Sequence, residues 1–172
     1  MRGGALQAVT TVMRIIVAAV GRLKRGPESA LFDHYCQRLD GLVRQVSLGP
    51  IELQEIPESR AGTVSERKAD EAERLLTRAK DADLHLVLDE HGRKLNSENF
   101  SSYLGEQRDA GRRVLAILIG GPDGHGEPVL SAARETIALG AMTLPHGLAR
   151  VVLLEQLYRT ATILSGHPYH RA

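Results

Sequence analysis

Tryptophan is absent from this chain of 172 residues, and only two Phe and four Tyr are present. The interior must therefore be filled by Leu, Val, Ile and Ala, the apolar side chains that remain to be buried. A single cysteine, Cys36, excludes an intrachain disulfide and any zinc site built from several thiolates, and it suits a reducing compartment such as the cytoplasm. No apolar run reaches the roughly 18–20 residues that span a bilayer. A dominant charge is missing as well. The 22 basic and 21 acidic side chains leave a net +1, which excludes nucleic-acid binding by bulk charge and leaves only a local basic patch open.

What is present is an ordinary globular composition, 42% apolar and 25% charged, in a chain of one-domain length that is long enough to bury a core. Residues 1–12 lack the apolar centre and cleavage site of a signal peptide, and Met13 stands directly before the first apolar run. They read as a leader that is disordered or belongs to a misassigned start, ahead of a single domain over 13–172.

Along that domain, strand and helix patterns alternate. Arg14–Val20 is a β-branched run ended by Gly21 and reads as a buried strand. A helix is expected from Pro27 to about Leu42, with Leu31, Tyr35 and Leu39 on one face. Ile51–Ile56 alternates as a half-exposed strand. Thr63 and Glu66 form a capping-box pair at the head of a charged helix reaching Lys80. Leu84–Leu88 is a strand stopped by the segment 89–92. Asn96 or Ser97 caps a helix to about Arg108, and Val114–Ile119 is the most apolar strand. A loop over 120–126 precedes a helix from Pro128 to about Ala138. Ala141–Leu144 is a short strand or extended loop, and Pro145 or His146 opens the last long helix. This alternation implies an α/β fold, a mainly parallel sheet with helices on both faces.

Three irregular segments carry the chemistry. The strand ending at Ile119 runs straight into Gly-Gly-Pro-Asp-Gly at 120–124, where two adjacent glycines let a ligand approach the main chain. It is no Walker A loop, lacking Lys followed by Ser or Thr, and no dinucleotide fingerprint, because Val129 stands where that pattern needs its third small residue. The segment Leu139, Gly140, Ala141, Met142, Thr143 and Leu144 mixes small residues, backbone amides and aliphatic side chains, which suits a flat ring such as adenine. The end of the chain, His-Pro-Tyr-His-Arg at 167–171, offers Tyr169 for stacking on a base and Arg171 for phosphate. His146, His167 and His170 have neither helical spacing nor an accompanying carboxylate, so no metal site is expected. Arg150 and Arg159, with His146 and Arg171, make the last quarter locally basic. Cys36 reads as a small buried residue.

Together, Leu-Ile-Gly-Gly-Pro-Asp-Gly at 118–124, Thr-Leu-Pro-His at 143–146, Glu-Gln-Leu-Tyr-Arg at 155–159 and the 167–171 tail resemble the ribosomal RNA large subunit methyltransferase H family of the SPOUT class. The resemblance runs from about Met13 to Ala172. It implies an α/β fold with a C-terminal trefoil knot, a homodimer, and a pocket for S-adenosylmethionine contacted by Leu88, Gly120 and Leu139 to Leu144. It implies methylation of N3 of a pseudouridine in 23S rRNA, with the assembled 70S ribosome as substrate. Tyr169, Arg171, His146 and Arg159 are the expected target-positioning groups, followed by His170. Two departures stand out: Gly147 where the family can carry Pro, and the insert His125-Gly126-Glu127 after the glycine turn.

Overall fold

The computed structural model describes residues 11–171, so most of the expected leader, residues 1–10, lies outside the described residues. Five strands form one sheet in the order β2-β1-β4-β3-β5, and every pairing is parallel. They are β1 (Met13–Val20), β2 (Leu48–Ile56), β3 (Leu84–Lys94), β4 (Val114–Ile119) and β5 (Glu135–Ala138). The helices are α1 (Pro27–Asp40), α2 (Val43–Val46), α3 (Val64–Arg78), α4 (Ser97–Asp109), α5 (Glu127–Ala132) and α6 (His146–Ser165).

Successive side chains of a strand point to opposite faces, so a strand covered on both sides must be apolar throughout. β1 and β4 meet that condition. Ile15, Val17, Ala19, Leu115, Ile117 and Ile119 pack with Phe32, Phe100, Leu104, Leu153 and Leu157 of α1, α4 and α6. Ile16, Ala18, Val20, Ala116 and Leu118 pack with Ala72 and Leu75 of α3 and Val129 of α5. Helices thus lie on both faces, as the alternation of patterns implies.

Local signals hold where they are strongest. The Thr63 hydroxyl accepts from Glu66 N–H at 3.2 Å while the Glu66 carboxylate accepts from Thr63 N–H at 3.0 Å. Asn96 caps α4 through Asn99 N–H at 2.8 Å.

Two expectations need correction, and one open choice is settled. The helix expected over 128–138 ends at Ala132, and Glu135–Ala138 forms the edge strand β5 instead. Its Ile137 fills a strand site on the core, which outweighs the local helix pattern. Ala141–Leu144 is loop, the extended alternative for that segment. β3 does not stop at residues 89–92 but continues to Lys94 and pairs with β5 twice: Ile137 stands opposite both Leu88 and Arg93. Gly92 makes this possible. A Cβ there would lie 2.5 Å from the carbonyl carbon of Ile137, so only glycine lets the two backbones approach so closely.

Candidate functional site

The carboxyl ends of parallel strands are where α/β sheets place their ligands, because the loops that leave them spread apart there. Here a cleft of about 460 Å³ opens over the ends of β3, β4 and β5. That volume suits a small organic cofactor. Its walls are Leu88 and Asp89 from β3, Ile119 with the turn 120–125, Leu139, Gly140 and 142–146 after β5, and Ala149 on α6. Of the residues expected to contact a cofactor, Leu88, Gly120, Leu139, Gly140, Met142, Thr143 and Leu144 line it. Ala141 lies within the same loop without contributing wall.

The glycine turn is clamped from below. Arg67 of α3 donates to Asp123 from Nε at 2.6 Å and from a terminal nitrogen at 3.2 Å, and Gly124 N–H donates to Gly121 C=O at 3.0 Å. The pair with Arg67 also holds the Asp123 carboxyl below the usual carboxylate range. A Cβ on Gly120 would sit 3.2 Å from the carbonyl carbon of Gly124 and 3.3 Å from the His125 ring, so the turn passes close to its own return.

His125 lines the cleft, although sequence reasoning treated it only as part of an insert. It is buried, at 5% exposure, and its Nε2 lies 2.9 Å from Leu88 C=O. A carbonyl only accepts, so Nε2 carries the proton and Nδ1 is left as an acceptor without a partner. Burial lowers the ring's pKa, only partly offset by the Leu88 bond and by Asp89 nearby, and so keeps the ring neutral. The side chain ties Leu88 of β3 to the loop after β4, the two halves of the cleft floor.

The 139–144 segment has a different character. Among the described residues, no intrachain hydrogen bond engages the backbone of 140–144, and Met142 is 84% exposed. Main-chain donors and acceptors free of partners at the wall of a cleft are available to a ligand.

The target-positioning groups named from the sequence do not converge within one chain. His146, the first residue of α6, lines the cleft. Arg159 lies thirteen residues further along the same helix, about 20 Å away at 1.5 Å per residue. There Arg159 donates to Glu155 at 3.0 Å, and its guanidinium stacks 5.0 Å from the Tyr169 ring. Tyr169 OH donates to Glu155 at 3.1 Å, and His170 Nε2 lies 3.0 Å from Glu98. Burial, with Glu155 beside it, pushes the Tyr169 hydroxyl up to about 12, so it remains a phenol and acts as a donor. Arg171 is exposed at the end of this cluster.

Nor is the expected basic surface over the last quarter found. Arg150 is fully buried, paired with Glu55 and donating to the carbonyls of Val20 and Gly21 at 3.0 and 2.6 Å. Arg159 is neutralised by Glu155. Cys36 is half-buried, and burial pushes its thiol up to about 12, an inert group.

Comparison with known proteins gives this architecture relatives. A family model described as predicted SPOUT methyltransferase matches residues 13–170. A ribosomal RNA large subunit methyltransferase H from Bradyrhizobium sp. is 44% identical over 93% of this chain and 99% of its own length. One of the same name from Methylobacterium sp. is 48% identical over 92% of this chain and 98% of its own. Among solved structures, a probable methylase family protein from Haemophilus influenzae covers 95% of this chain and 72% of its own, at 11% identity and a TM-score of 0.51, a likeness of fold. The chain belongs to the ribosomal RNA large subunit methyltransferase H family, within the SPOUT methyltransferases.

Proposed function

We propose that this family member transfers the methyl group of S-adenosylmethionine to N3 of a pseudouridine in 23S rRNA, working in the cytoplasm on the assembled 70S ribosome. The observation that carries the cofactor reading is the cleft over β3, β4 and β5, walled by a loop whose main-chain groups at 140–144 have no intrachain partner. Those groups suit the edge of an adenine ring, with Leu88, Leu139 and Leu144 as the apolar cover. Gly120 keeps a Cβ out of the space, and the unpartnered Nδ1 of His125 adds a buried acceptor at the wall. The residues present therefore fit the cofactor.

When bound, the cofactor supplies an electrophilic methyl carbon on a positively charged sulfur. The protein's part is to place a deprotonated N3 in line with it, a positioning task rather than covalent catalysis. His146 at the mouth of the cleft is placed to touch the target base. Arg171 offers positive charge for the anionic nitrogen or its phosphate, Tyr169 a phenol that stacks and donates, and Arg159, paired with Glu155, positions the Tyr169 ring that it stacks on.

Since Arg159 sits about 20 Å along α6 from His146, with Tyr169 stacked against it, the reading includes a homodimer in which the tail of one protomer completes the cleft of the other. It includes, too, one methyltransferase domain over 13–172 whose C-terminal part threads into a trefoil knot. The passage of β5 between two pairings with β3, at Leu88 and at Arg93, supports that threading.

The test is transfer of tritiated methyl from S-adenosylmethionine to 70S ribosomes that lack the modification, with free 50S subunits alongside. Label confined to one pseudouridine of the 70S sample is expected. Cofactor binding without label in either sample would move the reading to another RNA.

A further inference from the structure

The internal ion pairs raise a question of charge. RNA capture requires cations facing solvent, yet Arg67, Arg74, Arg93, Arg108, Arg150 and Arg159 are each paired with a carboxylate. The last quarter of the chain, basic in sequence, is spent largely on holding α6 to β1 and β2 and on the tail cluster.

A different set of cations is free. Arg22, Lys24 and Arg25 follow β1, and Arg60 follows β2. All four are exposed. Among the described residues none of the four forms an ion pair. Arg22 and Arg60 stand on the walls of a groove with Gly21, Pro57, Glu58 and Ser59. β1 and β4 are neighbours, so this groove lies at the same carboxyl edge of the sheet as the cofactor cleft, one strand further along.

The two depressions meet. A carbon at the Cβ position of Gly21 would lie 3.6 Å from Nε2 of His146, on the cleft, and 3.6 Å from Oε1 of Glu58, on the groove. Arg150 fixes this junction, since its guanidinium holds the carbonyls of Val20 and Gly21 from the root of α6. Leu23 N–H is tied to Glu55, which anchors the middle of the basic segment and leaves its side chains outward. Of the acids nearby, Glu55 is paired with Arg150 and Asp70 with Arg74, and Glu71 is buried and accepts from Ser59 N–H. Among the described residues this leaves Glu58 on the groove and Glu28 beside Gly147 as the acids facing the four cations without a cation partner of their own.

We infer that the groove walled by Arg22 and Arg60, with Lys24 and Arg25 exposed on the segment that continues from it, is the docking surface for the phosphodiester backbone of the RNA that flanks the target nucleotide. The inference rests on the rRNA reading above and adds to it the side chains that hold the strand. A strand lying in the groove reaches the cofactor cleft past His146, so the flanking phosphates are held at the cations while the target base turns inward beside that ring. Phosphate contacts of this kind position an RNA without reading its sequence. They also let a protein of net charge +1 bind a polyanion locally.

The test uses the full-length protein and two double variants, R22E/R60E and K24E/R25E. Three quantities are measured: affinity for S-adenosylmethionine by calorimetry, affinity for 70S ribosomes lacking the modification between 50 and 200 mM monovalent salt, and the KM and kcat of methyl transfer. Cofactor affinity is expected to match wild type, which also shows that the cleft is folded. Ribosome affinity is expected to fall at least tenfold at low salt, with the loss appearing in KM rather than kcat. The slope of log affinity against log salt should shrink by about 1.5 for two lost contacts, each worth about 0.7–0.9. Wild-type ribosome affinity in both variants would overturn the inference and leave the proposed function standing. Loss of affinity with an unchanged salt slope would also overturn it, assigning the face to a ribosomal protein. Failure of the wild-type protein itself to bind or methylate ribosomes would overturn the underlying reading instead.

Discussion

His125 shows how much a single side chain decides here. Its ring is neutral because burial lowers its pKa below the ordinary 6.5. A histidine with a depressed folded-state pKa stabilises the fold fully above the unfolded value, and that stability is lost as pH falls through the folded value, because the unfolded chain takes up the proton first. His125→Gln keeps a donor for Leu88 C=O and removes the titration. The wild type is therefore expected to lose more of its urea midpoint than the variant between pH 7.5 and 5.5, and equal losses would sink the assignment. Gly120 decides by having no side chain. Gly120→Val places methyl groups against Gly124 and His125 and into the cleft. Loss of S-adenosylmethionine affinity of at least tenfold is expected by calorimetry, with the circular dichroism spectrum of the wild type. Unchanged affinity would mean that the cofactor binds elsewhere.

At the scale of elements, the site depends on how β5 is gripped. The short strand Glu135–Ala138 delivers Leu139 and the loop after it to the cleft, and it is held by two stretches of β3. Gly92→Ala would push a methyl group to within 2.5–2.7 Å of the Ile137 backbone. A loss of roughly 3 kcal/mol in chemical denaturation is expected, with weaker cofactor binding because the 139–144 loop moves with β5. A variant with the wild-type midpoint would show that the β3 extension is not held against β5. Sequence patterning missed this arrangement for a physical reason. Residues 128–138 carry helix-compatible composition, and only pairing with β3, more than forty residues earlier in the chain, draws the second half into a strand. The capping box at Thr63 was legible because both its partners lie within one turn.

For the whole molecule, the separation along α6 of His146 from Arg159, on which Tyr169 stacks, makes function a property of two chains in the proposed reading. His146→Ala and Tyr169→Ala should each lower methyl transfer strongly. If the tail acts on the partner's cleft, mixing the two inactive variants and allowing protomers to exchange restores about a quarter of the sites, because half of the dimers are mixed and each holds one intact site. No restoration after exchange, with mixed dimers verified by mass spectrometry of tagged chains, would place the tail in its own protomer's cleft.

Sequence alone determined the layered α/β class, because uninterrupted apolar runs at 15–20 and 114–119 admit only a sheet covered on both faces. It also determined which segments line the cleft, since glycine turns and small residues at strand ends announce exposed backbone. What it could not decide was the state of each charge. Arg150 and Arg159 read as a basic surface, while the segment 22–25 drew no notice. Only the tertiary structure sets Glu55 against an arginine 95 positions away and leaves Arg22, Lys24, Arg25 and Arg60 facing water. Pattern reports a residue's chemistry and its near neighbours along the chain. Whether a charge is consumed inside or offered outside depends on contacts between distant segments, and these exist only once the chain has folded.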